Sequence, residues 1–262
     1  IVFGDWSSDV CSSDLRIEEL RLALSQKQAS EPPVSRLSSR QAPSEGTRYR
    51  LLFRYGKIGR SAYFAHHEVQ SMISSAFERM GLLIAYSQGF NPMPRLEISE
   101  PLSLGFESLE EYGVVILACK PDLDSAAILA SANELLHVDM MLQEARLLEC
   151  PEGKRFPSLS SVHWGSRFAI DLLSTGLDAT RFVGLAEAQI ASHERLAGGS
   201  VALDGTKIDL LLPFAGSRDL GLPAFFQSAF AVSIRDSRVS VTRREQFAKG
   251  TRSEERRVGK EC

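Results

Sequence analysis

Two kinds of hydrophobic periodicity follow one another along residues 47–150. Five segments alternate apolar and polar residues or form short apolar runs, as strands do: residues 49–55, 82–86, 95–98, 112–119 and 138–148. Two longer segments repeat apolar residues every three or four positions, as one face of a helix does: residues 62–80 and 123–136. With residues 82–98 taken as a strand–loop–strand and residues 101–111 as a loop, the order is β-α-β-β-α-β. This is the order of a ferredoxin-like fold, so the predicted fold class is α+β.

The rest of the chain repeats this pattern less completely. Residues 167–173 and 207–214 have strand patterns, and residues 178–193 have a helical one with Asp178 as its expected N-cap. Residues 220–230 are mixed, and residues 232–246 are typical of a hairpin. We therefore predict a second, abbreviated ferredoxin-like unit. The predicted domains are residues 47–150 and 151–251.

The ends of the chain differ from its middle. Residues 5–15 and 252–262 resemble translated adapter oligonucleotides used in DNA sequencing, so residues 1–15 and 252–262 are predicted to be non-native. Residues 16–29 have the pattern of a short amphipathic helix, and the Ser-, Pro- and Arg-rich residues 30–46 that of a flexible linker. We interpret residues 16–46 as a helical remnant and a disordered linker, and the native sequence as a fragment.

Removing these ends changes the charge and the cysteine count. Four of the 30 basic and six of the 33 acidic residues drop out, so the net charge changes from −3 to −1, and binding to nucleic acid would need a local basic patch. Only Cys119 and Cys150 remain, without the spacing of a metal or iron–sulfur motif, and no motif of a nucleotide hydrolase, zinc protease or serine hydrolase occurs. No apolar run is long enough to span a membrane. We predict a cytoplasmic protein with no cofactor and no membrane partner.

The most distinctive stretch is a loop of fixed shape between two strand-like runs. It follows the strand-like residues 82–86, contains Gly89, Pro92 and Pro94, and ends at Arg95. A basic turn, residues 57–60, and a histidine at the start of the first helix complete a predicted binding surface. Its substrate-binding residues are predicted to be Lys57, Arg60, His66, Tyr86, Gln88, Phe90, Asn91 and Arg95.

Several of these residues have two interpretations. Arg54, Lys57, Arg60 and Arg95 can form one basic patch beside aromatic residues that stack RNA bases, or a solvated rim. His66 can transfer protons or contact a phosphate, or simply pack at the helix start. For one further group, Glu97, Glu100, Glu107, Glu110 and Glu111, the sequence predicts a solvated acidic face rather than an acid–base pair.

Residues 49–117 resemble a radical-SAM-linked domain family of unknown function. The resemblance rests on Lys57-Ile58-Gly59, His66, FERMG at residues 77–81, YSQGFNP at residues 86–92, Pro94-Arg95, Pro101-Leu102, Leu104-Gly105 and Glu111-Tyr112. It implies an accessory role beside, or fused after, a cobalamin-binding-type radical SAM protein, with no reaction of its own. The chain has Glu68, Ser71, Ser75 and Met93 where this family is expected to have Asp, Arg, Arg and His.

Three functions follow as expectations. The first is an accessory module that binds RNA and presents it to a radical SAM enzyme in cis or in trans, without catalysis. The second is a docking module for that enzyme that binds no RNA. The third is a metal-independent RNA-processing enzyme that uses His66.

Overall fold

The computed structural model describes residues 48–150, 157–172, 178–205, 207–213, 222–230, 239–249 and 256–257. The predicted non-native residues 1–15, the predicted helix and linker of residues 16–46, and most of residues 252–262 lie outside these ranges. All the described residues belong to one compact unit, Gln41–Cys262. None of the described helices is both long and apolar enough to cross a membrane.

The first half contains all six elements of the predicted order. They are β1 (Arg48–Lys57), α1 (His66–Arg79), β2 (Leu96–Ile98), β3 (Glu107–Leu117), α2 (Ser125–Leu135) and β4 (Leu142–Cys150), with a 3₁₀ turn at Gly59–Tyr63. The strands lie in the order β4-β1-β3-β2, and every neighbouring pair is antiparallel. This is the ferredoxin-like arrangement that the periodicity predicts.

The second half has the same order and arrangement. After the short helix α3 (Leu159–Val162), its elements are β5 (His163–Asp171), α4 (Ala179–Ser192), a 3₁₀ turn at Glu194–Leu196, β6 (Ser200–Asp204), β7 (Lys207–Pro213), α5 (Leu222–Phe230) and β8 (Ser240–Ala248). The strand order is β8-β5-β7-β6, again antiparallel throughout. The prediction of an abbreviated unit is therefore wrong, because residues 200–204 form a strand and residues 222–230 form a helix. This helix has only nine residues, which is shorter than the window in which a helical period stands out from the sequence.

One parallel contact joins the two halves into a continuous sheet. Glu107 and Ser108 of β3 pair with Thr242 and Arg243 of β8. A two-residue strand β9 (Arg256–Arg257) pairs with the end of β8. The predicted hairpin turn of residues 232–246 lies largely outside the described residues, and the division into domains at residue 150 stays a prediction.

Each half has its own apolar core. In the first half, Leu51, Phe53 and Phe77 are among the buried residues between the sheet and helices α1 and α2. In the second half, Ile170, Phe182 and Phe226 are buried in the same way under α4 and α5. A small third cluster, Leu52, Tyr112, Leu159 and Ala248, lies where residues of both halves meet.

Two element boundaries differ from the periodicity for identifiable reasons. The predicted helix of residues 62–80 is divided, because the backbone N–H of Ala65 bonds to the carboxylate of Glu68 at 2.6 Å and α1 begins only at His66. Strand β3 begins at Glu107, inside the predicted loop, because its first residues pair with β8. Tertiary contacts set the second boundary.

Candidate functional site

The two halves separate along β3, and polar side chains fill the gap. The edge of β3 pairs with β8 at residues 107–108 and with β2 at residues 113–115, so residues 109–112 lie between the two partners. Gln246 donates from Nε2 to the carbonyl of Glu110 at 2.8 Å, and the Ser99 hydroxyl accepts from the N–H of Tyr112 at 3.2 Å. We call this gap the fork. It consists of residues 109–112 of β3 and the side chains that bond to them, such as those of Ser99 and Gln246.

A buried ion pair forms the floor of the fork. Nη1 of Arg243 lies 3.1 Å from Oε1 of Glu111, and the two residues are only 3% and 4% exposed. Oε2 of Glu111 also accepts from Gln246 Nε2 at 3.1 Å and from the Ser99 hydroxyl. Arg243 donates as well to the carbonyl of Glu100 at 3.3 Å. The pair therefore connects β8 to β3 and to the segment after β2.

A cavity of about 210 Å³ borders this floor, and its lining includes Ser99 and Gln246, which bond to Glu111. We call it the fork cavity. Its polar lining residues are His66, Ser99, Glu100, Ser160, His163 and Gln246, and its apolar ones are Ile98, Pro101, Tyr112 and Leu159. A much smaller cavity of about 20 Å³ lies beside it, lined by Tyr55, Lys57, His66 and Glu111 among others. His66 and the segment after β2 contribute to both.

Burial sets the ionisation of the groups around the smaller cavity. It lowers the pKa of Lys57, whose ammonium donates to the carbonyl of Phe64 at 2.9 Å. Burial likewise lowers the pKa of His66, with Lys57 contributing in the same direction and Glu111 opposing. It raises the pKa of Tyr55, with Glu111 adding to the effect. His66 is therefore favoured in its neutral form.

Glu100 and His163 face each other at the fork cavity. His163 Nδ1 lies 3.9 Å from Glu100 Oε2, and its Nε2 lies 2.9 Å from the carbonyl of Gly165. Burial raises the pKa of Glu100, although the positive charge of Arg243 opposes this. Burial and the charge of Arg243 lower the pKa of His163 to about 4. His163 is thus neutral at physiological pH, and the contact is not an ion pair there.

We expect the stability of the protein to fall between pH 6.5 and pH 4 because of His163. The unfolded chain takes up a proton near the ordinary pKa of 6.5, whereas the folded protein does so only near pH 4. The contribution of His163 is present above pH 6.5 and is lost as the pH falls, by on the order of 3 kcal/mol. Urea unfolding at a series of pH values measures it.

The variant His163→Gln isolates this effect. Glu100 titrates with the opposite sign, so the informative quantity is the difference between the natural protein and the variant. Arg243 and Lys249 are the cations that lower the pKa of His163, and both stay in place. The exposed His67 supplies the control His67→Gln, which tests for a general effect of replacing one histidine by glutamine. Parallel profiles for the natural protein and His163→Gln would contradict the prediction.

The structure divides the predicted binding residues among three places. Lys57 and His66 reach the cavities of the fork. Arg60 lies on the surface, where its N–H bonds to Asp139 at 3.0 Å. The rest belong to the loop of residues 86–95: Tyr86 bonds through its hydroxyl to Glu78, Arg95 joins the backbone ladder, and Gln88, Phe90 and Asn91 form the exposed tip.

The four cations of the predicted basic patch do not come together; they are Arg54, Lys57, Arg60 and Arg95. Lys57 is buried, and the guanidinium of Arg54 lies 3.7 Å from Glu144 of β4. Arg54 alternates with the core residues Phe53 and Tyr55 along β1, so it lies on the other face of the sheet. Arg60 and Arg95 stay on separate segments.

The sequence interpretation missed most of the fork. Glu110 and Glu111 were expected on a solvated acidic face, but both are buried, and that expectation is wrong for them. Arg243 and Gln246 were not singled out, because they lie 132 and 135 residues after Glu111 and β8 was not predicted as a partner of β3. One signal in the sequence could have located the two cavities. It is the motif on which the family resemblance rests, because its residues Pro101-Leu102 and Glu111-Tyr112 line them.

Two solved structures share low similarity with this chain. The regulatory subunit of aspartate kinase from Thermus thermophilus is 13% identical, with 71% of this chain and 97% of that chain covered and a TM-score of 0.22. An unknown protein from Galdieria sulphuraria is 9% identical, with 78% and 99% covered and a TM-score of 0.22. With TM-scores this low, we infer nothing about this protein from either structure. No curated protein matches the chain.

A protein-family model shows to which family this chain belongs. It matches residues 50–195, which include β1, α1, the loop of residues 86–95 and the segment after β2. The match covers more than half of the chain, so this protein belongs to the bacterial family DUF2344, described as an uncharacterized protein conserved in bacteria.

Proposed function

We propose that this protein is a non-catalytic substrate-binding module that acts beside a radical SAM enzyme and presents RNA to it. The observation that carries the proposal is the fork cavity, a preformed concave site with apolar walls and a few fixed polar groups. The resemblance in the YSQGFNP motif suggests the radical SAM partner. We propose as well that the two ferredoxin-like halves are separate domains, divided near residue 150.

The hydrogen bonding of the floor favours binding over catalysis. Glu111 accepts hydrogen bonds from three side chains, Arg243, Gln246 and Ser99, so its carboxylate oxygens are already occupied. Oxygens occupied in this way are not free to bond to a substrate group. The floor instead gives the cavity a fixed shape, which lowers the entropic cost of binding.

The loop of residues 86–95 supplies the second element of the proposed RNA surface. The Phe90 side chain is fully exposed at its tip, with Gln88 and Asn91 beside it. The loop is held at its base, because the N–H of Ser87 bonds to the carbonyl of Met93 and the N–H of Arg95 to that of Ala85, both at 2.8 Å. An exposed aromatic ring on a fixed loop suits stacking on an unpaired base.

We expect the protein to bind labelled bulk tRNA with a salt-dependent affinity that Arg95→Ala weakens. Arg95 ends the loop, and each lost phosphate contact reduces the slope of log K against log salt by about 1. Fluorescence anisotropy at low and at physiological salt measures both quantities. Arg181→Ala, which removes an exposed cation from α4 in the second half, is the matched control and should have little effect.

Two results would redirect the proposal. If no binding occurs at low salt, RNA presentation is excluded. If the RNA is cut during the incubation and His66→Ala abolishes the cutting, the protein is an RNA-processing enzyme rather than a binding module.

One specific observation favours docking to the radical SAM enzyme without RNA. Exposed apolar side chains lie on neighbouring segments at one end of β1: Ile58, Tyr63, Leu104, Leu109, Val138 and Met141. Backbone bonds hold these segments together, for example from Ile58 to Asp139 at 3.0 Å and from Gly105 to Ala62 at 2.9 Å. Contiguous exposed apolar surface is typical of protein interfaces. This function predicts co-purification with the enzyme that neither nuclease nor salt disturbs.

A further inference from the structure

The size of the fork cavity limits what can enter it. Its volume of about 210 Å³ is below the roughly 300–1,000 Å³ of pockets that hold drug-sized ligands. A group of one or two fused rings is therefore the largest occupant that fits. Part of its wall is apolar, formed by Ile98, Pro101, Tyr112 and Leu159, and such a wall suits the faces of a planar ring.

Gln246 offers the cavity an acceptor. Its side chain is 1% exposed, and its three hydrogen bonds, to Ser99, Glu110 and Glu111, all involve Nε2. The carbonyl of Glu110 and the carboxylate of Glu111 accept only, so they fix which end of the amide is nitrogen. Among the described residues, the amide oxygen of Gln246 has no hydrogen-bond donor.

Glu100 offers a second acceptor at the same cavity. Its side chain is 41% exposed, and within the described part of the chain its carboxylate accepts no hydrogen bond. His163 does not neutralise it at physiological pH, because burial keeps the imidazole uncharged. Arg243 donates to the backbone carbonyl of Glu100 and not to its side chain.

These acceptors select the chemistry of the occupant. A ring that donates two adjacent N–H groups can bond to a carboxylate with both oxygens. A cation fits less well, because the positive charge of Arg243 already acts on this cavity, lowering the pKa of His163 and opposing the rise for Glu100. Among the common nucleobases, guanine is neutral and presents adjacent N1–H and N2–H donors, whereas uracil presents one N–H between two acceptors.

We propose that the fork cavity binds a single unstacked guanine base, whose N1–H and N2–H groups donate to the Glu100 carboxylate. The Gln246 amide oxygen is a further acceptor, and the apolar wall contacts the ring face. If the base belongs to RNA, this inference rests on the proposed function and names the part of the RNA that the cavity recognises. A free guanine nucleotide has the same donor edge, and the experiment below separates the two sources.

Titration calorimetry of the whole chain at pH 8 with GMP, IMP and UMP tests the proposal. IMP lacks only the N2 amino group, so we expect it to bind at least about fivefold more weakly than GMP, and UMP more weakly still. Glu100→Gln should remove the difference between GMP and IMP. Glu134→Gln, an exposed carboxylate on α2, is the control and should keep it. Because Glu100 is partly exposed, its substitution is expected to leave the fold intact.

The possible outcomes separate this inference from the function on which it rests. Equal affinities for the three nucleotides, no binding at millimolar concentration, or tighter binding of N-acetyl-arginine amide than of GMP would each overturn the guanine assignment. If the protein binds RNA but shows no such preference, RNA presentation stands and the guanine site fails. If GMP binds and no RNA does, the site stands with a free nucleotide as its ligand, and RNA presentation fails.

Discussion

Arg243→Ala should destabilise the protein by about 3–5 kcal/mol, the largest loss that we expect from one substitution. Arg243 supplies the cation that compensates the buried carboxylate of Glu111, with 3.1 Å between Nη1 and Oε1. Without it, Glu111 is left as an uncompensated charge in a nearly dry environment. Urea unfolding followed by circular dichroism measures the loss, and the midpoint should fall without a change in the slope.

Arg167→Ala is the matched control for this prediction. Arg167 lies on β5 and contacts Glu245 at 3.1 Å and Asp209 at 3.7 Å, but all three side chains are partly exposed to water. We expect a loss of about 1 kcal/mol or less. The double variant Glu111→Gln with Arg243→Ala should lose less than the two single variants together, because it leaves no unpaired charge. Equal losses for Arg243→Ala and Arg167→Ala would show that the buried pair is not what holds the fork.

Gly113→Ala should destabilise the protein by roughly 1–3 kcal/mol through overpacking. Gly113 on β3 lies directly opposite Phe53 on β1, and a Cβ atom here would lie 2.1 Å from Cζ of the Phe53 ring. The ring cannot move away easily, since it is 1% exposed and packs edge-on against Phe77 with 5.3 Å between the centroids. Thermal or urea unfolding measures the change.

Two variants show whether this contact is the cause. Phe53→Leu in the Gly113→Ala background should recover part of the loss, because the smaller side chain leaves room for the new methyl group. Gly184→Ala makes the same substitution on α4, where nothing lies within 4 Å, and should stabilise the protein by about 0.5–1 kcal/mol through helix propensity. A neutral Gly113→Ala variant would mean that the Phe53 ring can shift.

Local signals predicted most elements of the fold. Asp178 caps α4 as expected, with its carboxylate accepting from the N–H of Thr180 at 2.9 Å. The strands β1 and β7 appear where alternation predicts them, because one face of each is buried against helices. The exceptions are α5 and β6, which have only nine and five residues, so each is too short for its period to stand out from the sequence.

The candidate site was only partly predictable. Lys57 and His66 belong to a motif and were identified, but their role as neighbours of Glu111 depends on the register of β1 against β3. The loop of residues 86–95 was predicted as one binding surface with them, whereas its tip residues line neither of the two cavities. A motif gives residue types and spacing within one segment, and a cavity needs distances between segments.

By itself the sequence determined the element order of the first half and the Asp178 cap of α4, because each depends on residues within a few positions of one another. Only the tertiary structure decided where the two halves meet. The parallel pairing of β3 with β8 brings Arg243 and Gln246 to Glu111 across more than 130 residues. Buried charges are stable only with a partner, and that partner's position is a property of the packed sheet, which no local pattern in the chain encodes.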